Sequence, residues 1–279
     1  MAANSPARRA AKRLLMRALP ERAYATVQGW VMAADIRSGR LSEPELALVP
    51  LAVHDGDTAV DIGANYGLYT YHLSRAVGPG GRVHAFEPIP FTYAALRVAA
   101  RLLRLRNVDL HAKGCADREG RCTFEVPVQH SGAIAAGLAH LRVADMATGP
   151  VPEGCSATRE VAGELVALDR FAPWPAGLSF VKCDIEGAEL LALTGFAATI
   201  DEHLPTVLCE VEQRHLSRFG LRREDVLRFF TERGYAAFEV RDGALCEVTA
   251  PALRDGNLVF VHPARLARLT PLLAAEGPA

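Results

Sequence analysis

Residues Asp57–Thr70 read DTAVDIGANYGLYT, and the way this stretch folds decides the architecture around it. TAVDIG has the apolar, β-branched make-up of a buried strand, and the chain from Leu68 has helix composition. The turn between them holds two glycines, an asparagine and no lysine. A strand that breaks through such a turn into a helix opens a βαβ unit. It brings the free N–H groups of the helix to the carboxyl end of the strand, and Gly63 and Gly67 let the backbone turn sharply and approach a ligand. The order G-A-N-Y-G departs from the dinucleotide fingerprint G-x-G-x-x-G, because Asn65 stands where a glycine belongs and Leu68 where a small residue belongs. A pyrophosphate is therefore disfavoured. Asp61, two residues before Gly63, would repel a phosphate and can receive an ammonium group directly or through water, so the expected ligand is zwitterionic.

Outward from this turn, short apolar runs alternate with helix-period segments, the pattern of parallel strands joined by crossover helices. A helix over Leu68–Val77 stops at Gly78-Pro79-Gly80-Gly81, and RVHAFEP follows as the second strand. The next helix, Phe91–Leu105, sets Leu96 and Leu103 on one face, with Arg97, Arg101 and Arg104 on a solvated face opposite. VDLHAKG, CTFEV, REVAGELVAL, LSFVKCDIEG and PTVLCEVE are further strands. GAELLALTGF and RREDVLRFFTERGY are helices, and YAAFEV with NLVFVH form a terminal pair joined through Asp242-Gly243 and irregular sequence. Residues 127–156 are Gly- and Ala-rich without a sustained period and are expected to form a loop, functional or disordered. The chain divides into an N-terminal helical extension (1–40), one doubly wound α/β domain (41–265) containing that insertion, and a tail (266–279).

Glu87 closes the second strand twenty residues beyond Gly67, where an acid can accept hydrogen bonds from both hydroxyls of a ribose. Two acids around a glycine turn without a lysine suit a nucleoside that carries an amino acid, the make-up of S-adenosylmethionine. At the rim of the strand in LSFVKCDIEG, Lys182, Asp184 and Glu186 alternate around Cys183 and Ile185, so the three are expected on one side. Asp184 is the first choice for a catalytic or acceptor-orienting acid. Lys182 and Glu186 could equally pair with each other, and Glu186 could cap the helix that follows. Glu210, Glu212 and His215 come after the next strand. His215 has the pKa range best suited to a general base, against the plainer reading of a surface histidine at a helix start. His130 and Ser131 are candidates for a lid over the site. The spacing motivates no metal.

The 279 residues are half apolar and carry a formal net charge of −1, which gives no overall bias toward nucleic acid. No aromatic residues interleave with the arginine stripe, so no nucleic-acid partner is expected. Six cysteines without a CxxC pair point to neither a zinc ribbon nor a disulfide framework, and to a reducing, cytoplasmic setting. No apolar run reaches the roughly 18–20 residues that cross a bilayer. Arg8, Arg9, Lys12, Arg13 and Arg17 alternate with Leu14, Leu15, Met16 and Leu19 as a basic amphipathic helix. Such a helix either lies on an anionic membrane or, the reading taken here, packs its apolar side on the domain.

VDIGANYGLYT, HAFEPIPFTYAAL and FVKCDIEGAELLALTG resemble, in order and spacing, the three signature blocks of the FkbM family of S-adenosylmethionine-dependent methyltransferases, over about residues 41–262. The resemblance implies a Rossmann-like class I methyltransferase fold with a seven-stranded, mostly parallel sheet whose last strand inserts antiparallel, and methyl transfer to oxygen. It sets Asp61, Gly63, Asn65 and Gly67 in the methionine-binding turn, Glu87 on the ribose, and Asp184 and Glu186 in the K-x-D-x-E-G block. Cys115 and Asp117 fall where related folds hold the adenine. The expected acceptor is a small or medium-sized hydroxyl compound such as a sugar, glycolipid or polyketide. A nicotinamide-dependent oxidoreductase on a similar sheet and a binding protein that keeps the fold without turnover are the alternatives.

Overall fold

The first strand, β1 (Thr58–Ile62), is buried along its whole length, as a strand covered on both faces must be. The computed structural model describes residues 19–130, 132–142, 151–171, 174, 177–249 and 253–273. The basic amphipathic segment Arg8–Arg17 and Ser131 lie outside them. The helix Leu68–Ala76 leads from β1 to β2 (Arg82–Phe86), and the helix Pro90–Leu103 to β3 (Val108–His111). Next come β4 (Gly114–Cys115), β5 (Gly120–Gln129), β6 (His140–Leu141), β7 (Cys155–Val166), β8 (Leu178–Cys183) and β9 (Thr206–Val211). The chain closes with β10 (Ala236–Arg241), β11 (Ala244–Glu247) and β12 (Gly256–Val261).

Eight strands form the main sheet in the order β11-β10-β12-β9-β8-β1-β2-β3. β9, β8, β1, β2 and β3 run parallel, and β12 enters antiparallel between β9 and β10. This is the Rossmann-like class I methyltransferase arrangement with one strand more than the seven expected. The extra strand is β11, paired with β10 across Asp242-Gly243, both at positive φ (49° and 80°) as a tight hairpin turn requires. Alternate residues feed opposite faces. Val60, Ile62, Val181, Cys183, Val207 and Cys209 pack with Phe196, Phe230 and Phe260 on one side. Ala59, Phe180, Leu208 and Val259 pack with Leu48, Tyr69 and Leu73 on the other.

A second sheet, β4-β7-β5-β6, takes in both ends of the stretch expected to be loop and, through β6, residues 140–141. β5 continues through Pro127 to Gln129, and β7 begins at Cys155. The helix Glu21–Arg37 lies against Pro90–Leu103, with Gly29 so close that a Cβ there would stand 2.5 Å from the Ala95 carbonyl oxygen. Arg97, Arg101 and Arg104 are exposed. Among the described residues no helix is long and apolar enough to cross a membrane.

Strand order reverses between β1 and β8: β2 and β3 continue on one side of β1, and β8 returns on the other. That places the crevice for a ligand at the carboxyl ends of β1 and β8.

Candidate functional site

At the end of β1 the chain turns under its neighbour. Gly63 N–H and Ala64 N–H both donate to the Phe86 carbonyl, at 3.0 and 2.9 Å, which locks the loop to the end of β2. Gly63 has φ 81°, and a Cβ on it would sit 1.9 Å from the Asp184 carbonyl oxygen. The close approach this glycine permits is thus to the loop after β8. Asn65 takes φ 49°, a left-handed conformation that asparagine tolerates. It thereby aims its N–H at Glu87 Oε2, 3.0 Å away, while Ile89 N–H donates to Glu87 Oε1 at 2.9 Å. Glu87 is therefore a fixed carboxylate with lone pairs to spare on both oxygens. Its burial pushes the carboxyl up to about 7, against the pull of the two N–H groups and Lys182.

Asp61 is fully buried. Thr70 donates its hydroxyl to Asp61 Oδ2 at 2.5 Å, and Asp61 Oδ1 has no hydrogen-bond partner among the described residues. Asn65 Oδ1 is likewise buried and unpartnered. Burial raises the Asp61 carboxyl, and the Lys182 ammonium opposes that. Asp61 and Lys182 are register partners across β1 and β8. Lys182 Nζ donates to Asp184 Oδ2 at 2.9 Å, and its pKa is raised by Asp184 and Asp61 against desolvation.

A cavity of about 210 Å³ opens over this turn, far beyond the space of a single water. It is lined by Gly63, Asn65 and Glu87 from the turn and the end of β2, by Ile89, Gly114, Cys115, Phe124 and Leu165, and by Asp184, Glu186 and Glu210 from the ends of β8 and β9. Residues 136, 137 and 139–141 cover it. A second hollow, lined by Asp61, Tyr69, Lys182 and Glu43, shares Gly63, Asn65 and Asp184 with the first.

Lys182 and Asp184 stay on one side, as strand alternation predicts, but Glu186 departs. β8 ends at Cys183, and Glu186 sits at φ 60°, which swings it toward β9. There its Oε2 lies 3.0 Å from His215 Nδ1, with Glu210 Oε2 at 3.4 Å from the same nitrogen. His215 is buried, and the two glutamates raise its pKa to about 9 against desolvation. At neutral pH it holds a proton between two carboxylates, which makes it a poor general base. Glu186 does not cap the following helix. That helix begins at Glu189 with no side-chain cap; Glu189 instead ties down the loop before it, accepting from Ile185 N–H at 2.9 Å and Gly187 N–H at 3.1 Å.

The remaining expected residues separate. Cys115 lines the cavity, whereas Asp117 is exposed and pairs with Arg118 at 3.6 Å. His130 is exposed and contacts the Gly154 carbonyl at 2.9 Å. The covering histidine is instead His140, whose Nε2 lies 3.4 Å from Glu125 Oε2. Nothing in the sequence marks His140, a single histidine in irregular chain. Thr70, which bonds Asp61, is not singled out by the sequence either, although a polar residue on the buried side of the first helix, one turn after Gly67, is a signal for it.

A family model described as the methyltransferase FkbM domain matches residues 61–237. No curated protein matches the chain. Among solved structures it is similar to the methyltransferase FkbM from Methylobacillus flagellatus KT, with 20% identity and a TM-score of 0.47, over 78% of this chain and 50% of that one. The chain thus spans half the length of that relative. It is also similar to a SAM-dependent O-methyltransferase from Thermotoga maritima (11% identity, TM-score 0.42, 82% of this chain and 69% of that one). A SAM-dependent methyltransferase from Aquifex aeolicus matches at 13% identity and a TM-score of 0.41, over 82% of this chain and 98% of that one.

Proposed function

The chain belongs to the FkbM methyltransferase family, and from that premise we propose that it transfers a methyl group from S-adenosylmethionine to a hydroxyl oxygen of a small or glycan-type acceptor. The observation that carries this reading is Glu87: a buried carboxylate at the end of β2, held on both oxygens by Asn65 N–H and Ile89 N–H and lining the cavity. A group fixed in this way pays no reorganisation cost when two vicinal hydroxyls present themselves.

The residues present fit the cofactor. Buried, unpartnered oxygens on Asp61 and Asn65 call for donors, and the ammonium of an amino acid supplies them. Ile89, Cys115, Phe124 and Leu165 give the flat apolar wall that an adenine ring needs. S-adenosylmethionine supplies an electrophilic methyl on a sulfonium.

The chain's own part is alignment and proton removal. Asp184 lines both hollows and is held by Lys182, which suits it to accept the hydrogen bond of an acceptor hydroxyl and to receive its proton. Residues 136–141 would exclude water from above. Cys115 is assigned to the base and Asp117 to solvent.

Calorimetry with S-adenosylhomocysteine tests the cofactor assignment. Wild type should bind one molecule per chain, and Glu87→Ala should bind at least about tenfold more weakly, a loss near 1.4 kcal/mol. Equal binding by the variant would sink the assignment of this turn. Radiolabelled methyl transfer into fractionated cell extract, with total RNA as a parallel substrate, would then identify the acceptor. Label recovered in RNA alone would refute a small or glycan-type acceptor.

A further inference from the structure

Three side chains on three separate elements converge beside the cavity: Glu186 from the loop after β8, Glu210 from β9, and His215 from the short helix Gln213–Leu216. One ligand atom from each lies within 4.8 Å of the others. The assembly depends on two unusual backbone features. Glu186 holds φ 60°, a costly conformation for a residue with a long side chain. Gly187 follows at φ 111°, where a Cβ would stand 2.4 Å from the His215 carbonyl oxygen. Only glycine allows the two loops to come this close.

The atoms brought together meet at ion-pair distance. Glu186 Oε2, Glu210 Oε2 and His215 Nδ1 are all shielded from solvent and have no hydrogen-bond partner among the described residues, although Nδ1 stands 3.0 and 3.4 Å from the two carboxylate oxygens. Those are ion-pair distances without hydrogen-bond angles. In the ion-free chain the proton on His215 lies between the two carboxylates; a divalent ion would displace that proton and take one atom from each side chain as a ligand. Donors on adjacent corners of an octahedral cation bound at its usual length of about 2.1 Å lie about 3 Å apart, close to the 3.0 and 3.4 Å that separate His215 Nδ1 from the two carboxylate oxygens.

We propose that Glu186, Glu210 and His215 bind a divalent cation of the first transition row, whose role is to hold the acceptor oxygen beside the methyl donor. The mixed imidazole and carboxylate set favours manganese, iron or zinc over calcium or magnesium. Glu212 Oε2 lies 3.8 Å from the other ring nitrogen of His215, Nε2, too far for a hydrogen bond, and accepts instead from Arg214 Nε at 2.6 Å. Glu186 and Glu210 line the cavity, so positions of the ion turned away from the protein face the acceptor. A hydroxyl there becomes more acidic: its O–H bond breaks, the electron pair stays on oxygen, and the proton passes to Asp184 and on to water. This role rests on the methyl-transfer reading above. The binding of the ion does not.

The test uses the full chain, stripped with a chelator and titrated with Mn2+, with free Mn2+ followed by electron paramagnetic resonance. Wild type should take up one ion per chain. Glu210→Gln and His215→Gln should lose that binding. Mn2+ should also broaden the ring proton signals of His215 and spare those of His54, which precedes β1 at the far end of the sheet. This readout needs no variant. Absence of uptake by wild type, or unchanged uptake by both Gln variants, overturns the cation site and leaves the cluster as an internal ion-pair network. S-adenosylhomocysteine calorimetry on the same samples keeps the two readings apart: nucleoside binding without Mn2+ uptake defeats the ion alone, and Mn2+ uptake without nucleoside binding defeats the cofactor alone.

Discussion

Glu87 and Gly63 separate what a residue does for a ligand from what it does for the fold. Glu87→Gln keeps the volume and one acceptor oxygen but puts an NH2 group against the Asn65 or Ile89 N–H. Replacing a charged acceptor of two hydroxyls costs about 1.5–3 kcal/mol, so affinity for S-adenosylhomocysteine should fall about ten- to a hundredfold by calorimetry at pH 8. Gly63→Ala acts differently. Its Cβ would overlap the Asp184 carbonyl at 1.9 Å with φ 81°, so the loop after β8 must move. The expected cost is about 2–4 kcal/mol of stability, read as a lower urea midpoint with an unchanged slope. A midpoint like that of wild type would show that the two loops do not meet as described. From the sequence, Gly63 reads as a ligand-approach glycine. Its close neighbour proved to be protein because that neighbour, Asp184, is 121 residues away in the chain, a contact that no local pattern encodes.

Elements buried on both faces were the most legible. β1, β8 and β9 are mostly apolar, almost wholly buried, and carry one charged residue each near the carboxyl end, Asp61, Lys182 and Glu210, and the sheet order follows once the crossovers are right-handed. The β5–β7 ladder was only partly legible. β7 is exposed or half-exposed over most of its length, so its composition gives little hydrophobic signal, and Pro127 reads as a breaker. Pro127 is tolerated at its ladder position opposite Thr158, and its carbonyl accepts from Ala135 N–H at 2.8 Å. The small sheet depends on Phe124, whose ring occupies the space that side chains at Gly114 and Gly163 would fill; Cβ atoms there would meet it at 2.8 and 2.6 Å. It also lines the cavity. Phe124→Ala should therefore cost about 3–5 kcal/mol and weaken nucleoside binding as well, checked by thermal melting with and without S-adenosylhomocysteine. Loss of stability with full retention of affinity would detach the small sheet from the binding wall.

Across the whole molecule, stability and ligand binding should respond to pH in opposite directions. Burial raises Glu87 and Glu189 from the ordinary carboxylate value to about 7. For an acid whose pKa is raised by folding, the unfolded state releases its proton first. The contribution to stability is complete below about 4.5 and is lost as pH rises through about 7. Each group can remove on the order of 2–3 kcal/mol from the ligand-free chain over that interval. Binding runs the other way, because ribose hydroxyls need Glu87 as an ionised acceptor. Affinity for S-adenosylhomocysteine should strengthen as pH rises toward 8, by at most about tenfold per unit below 7. Ligand stabilisation grows with the ratio of concentration to Kd. The rise in Tm produced by a fixed excess of S-adenosylhomocysteine should therefore be larger at pH 8 than at pH 6, even as the ligand-free Tm falls. In Glu87→Gln that pH dependence should flatten, because the variant has no group to ionise at this position. Differential scanning calorimetry at the two pH values on both proteins decides it. An equal ligand-induced shift at pH 6 and pH 8 in wild type would mean that the buried carboxylate at the end of β2 does not take part in binding the nucleoside.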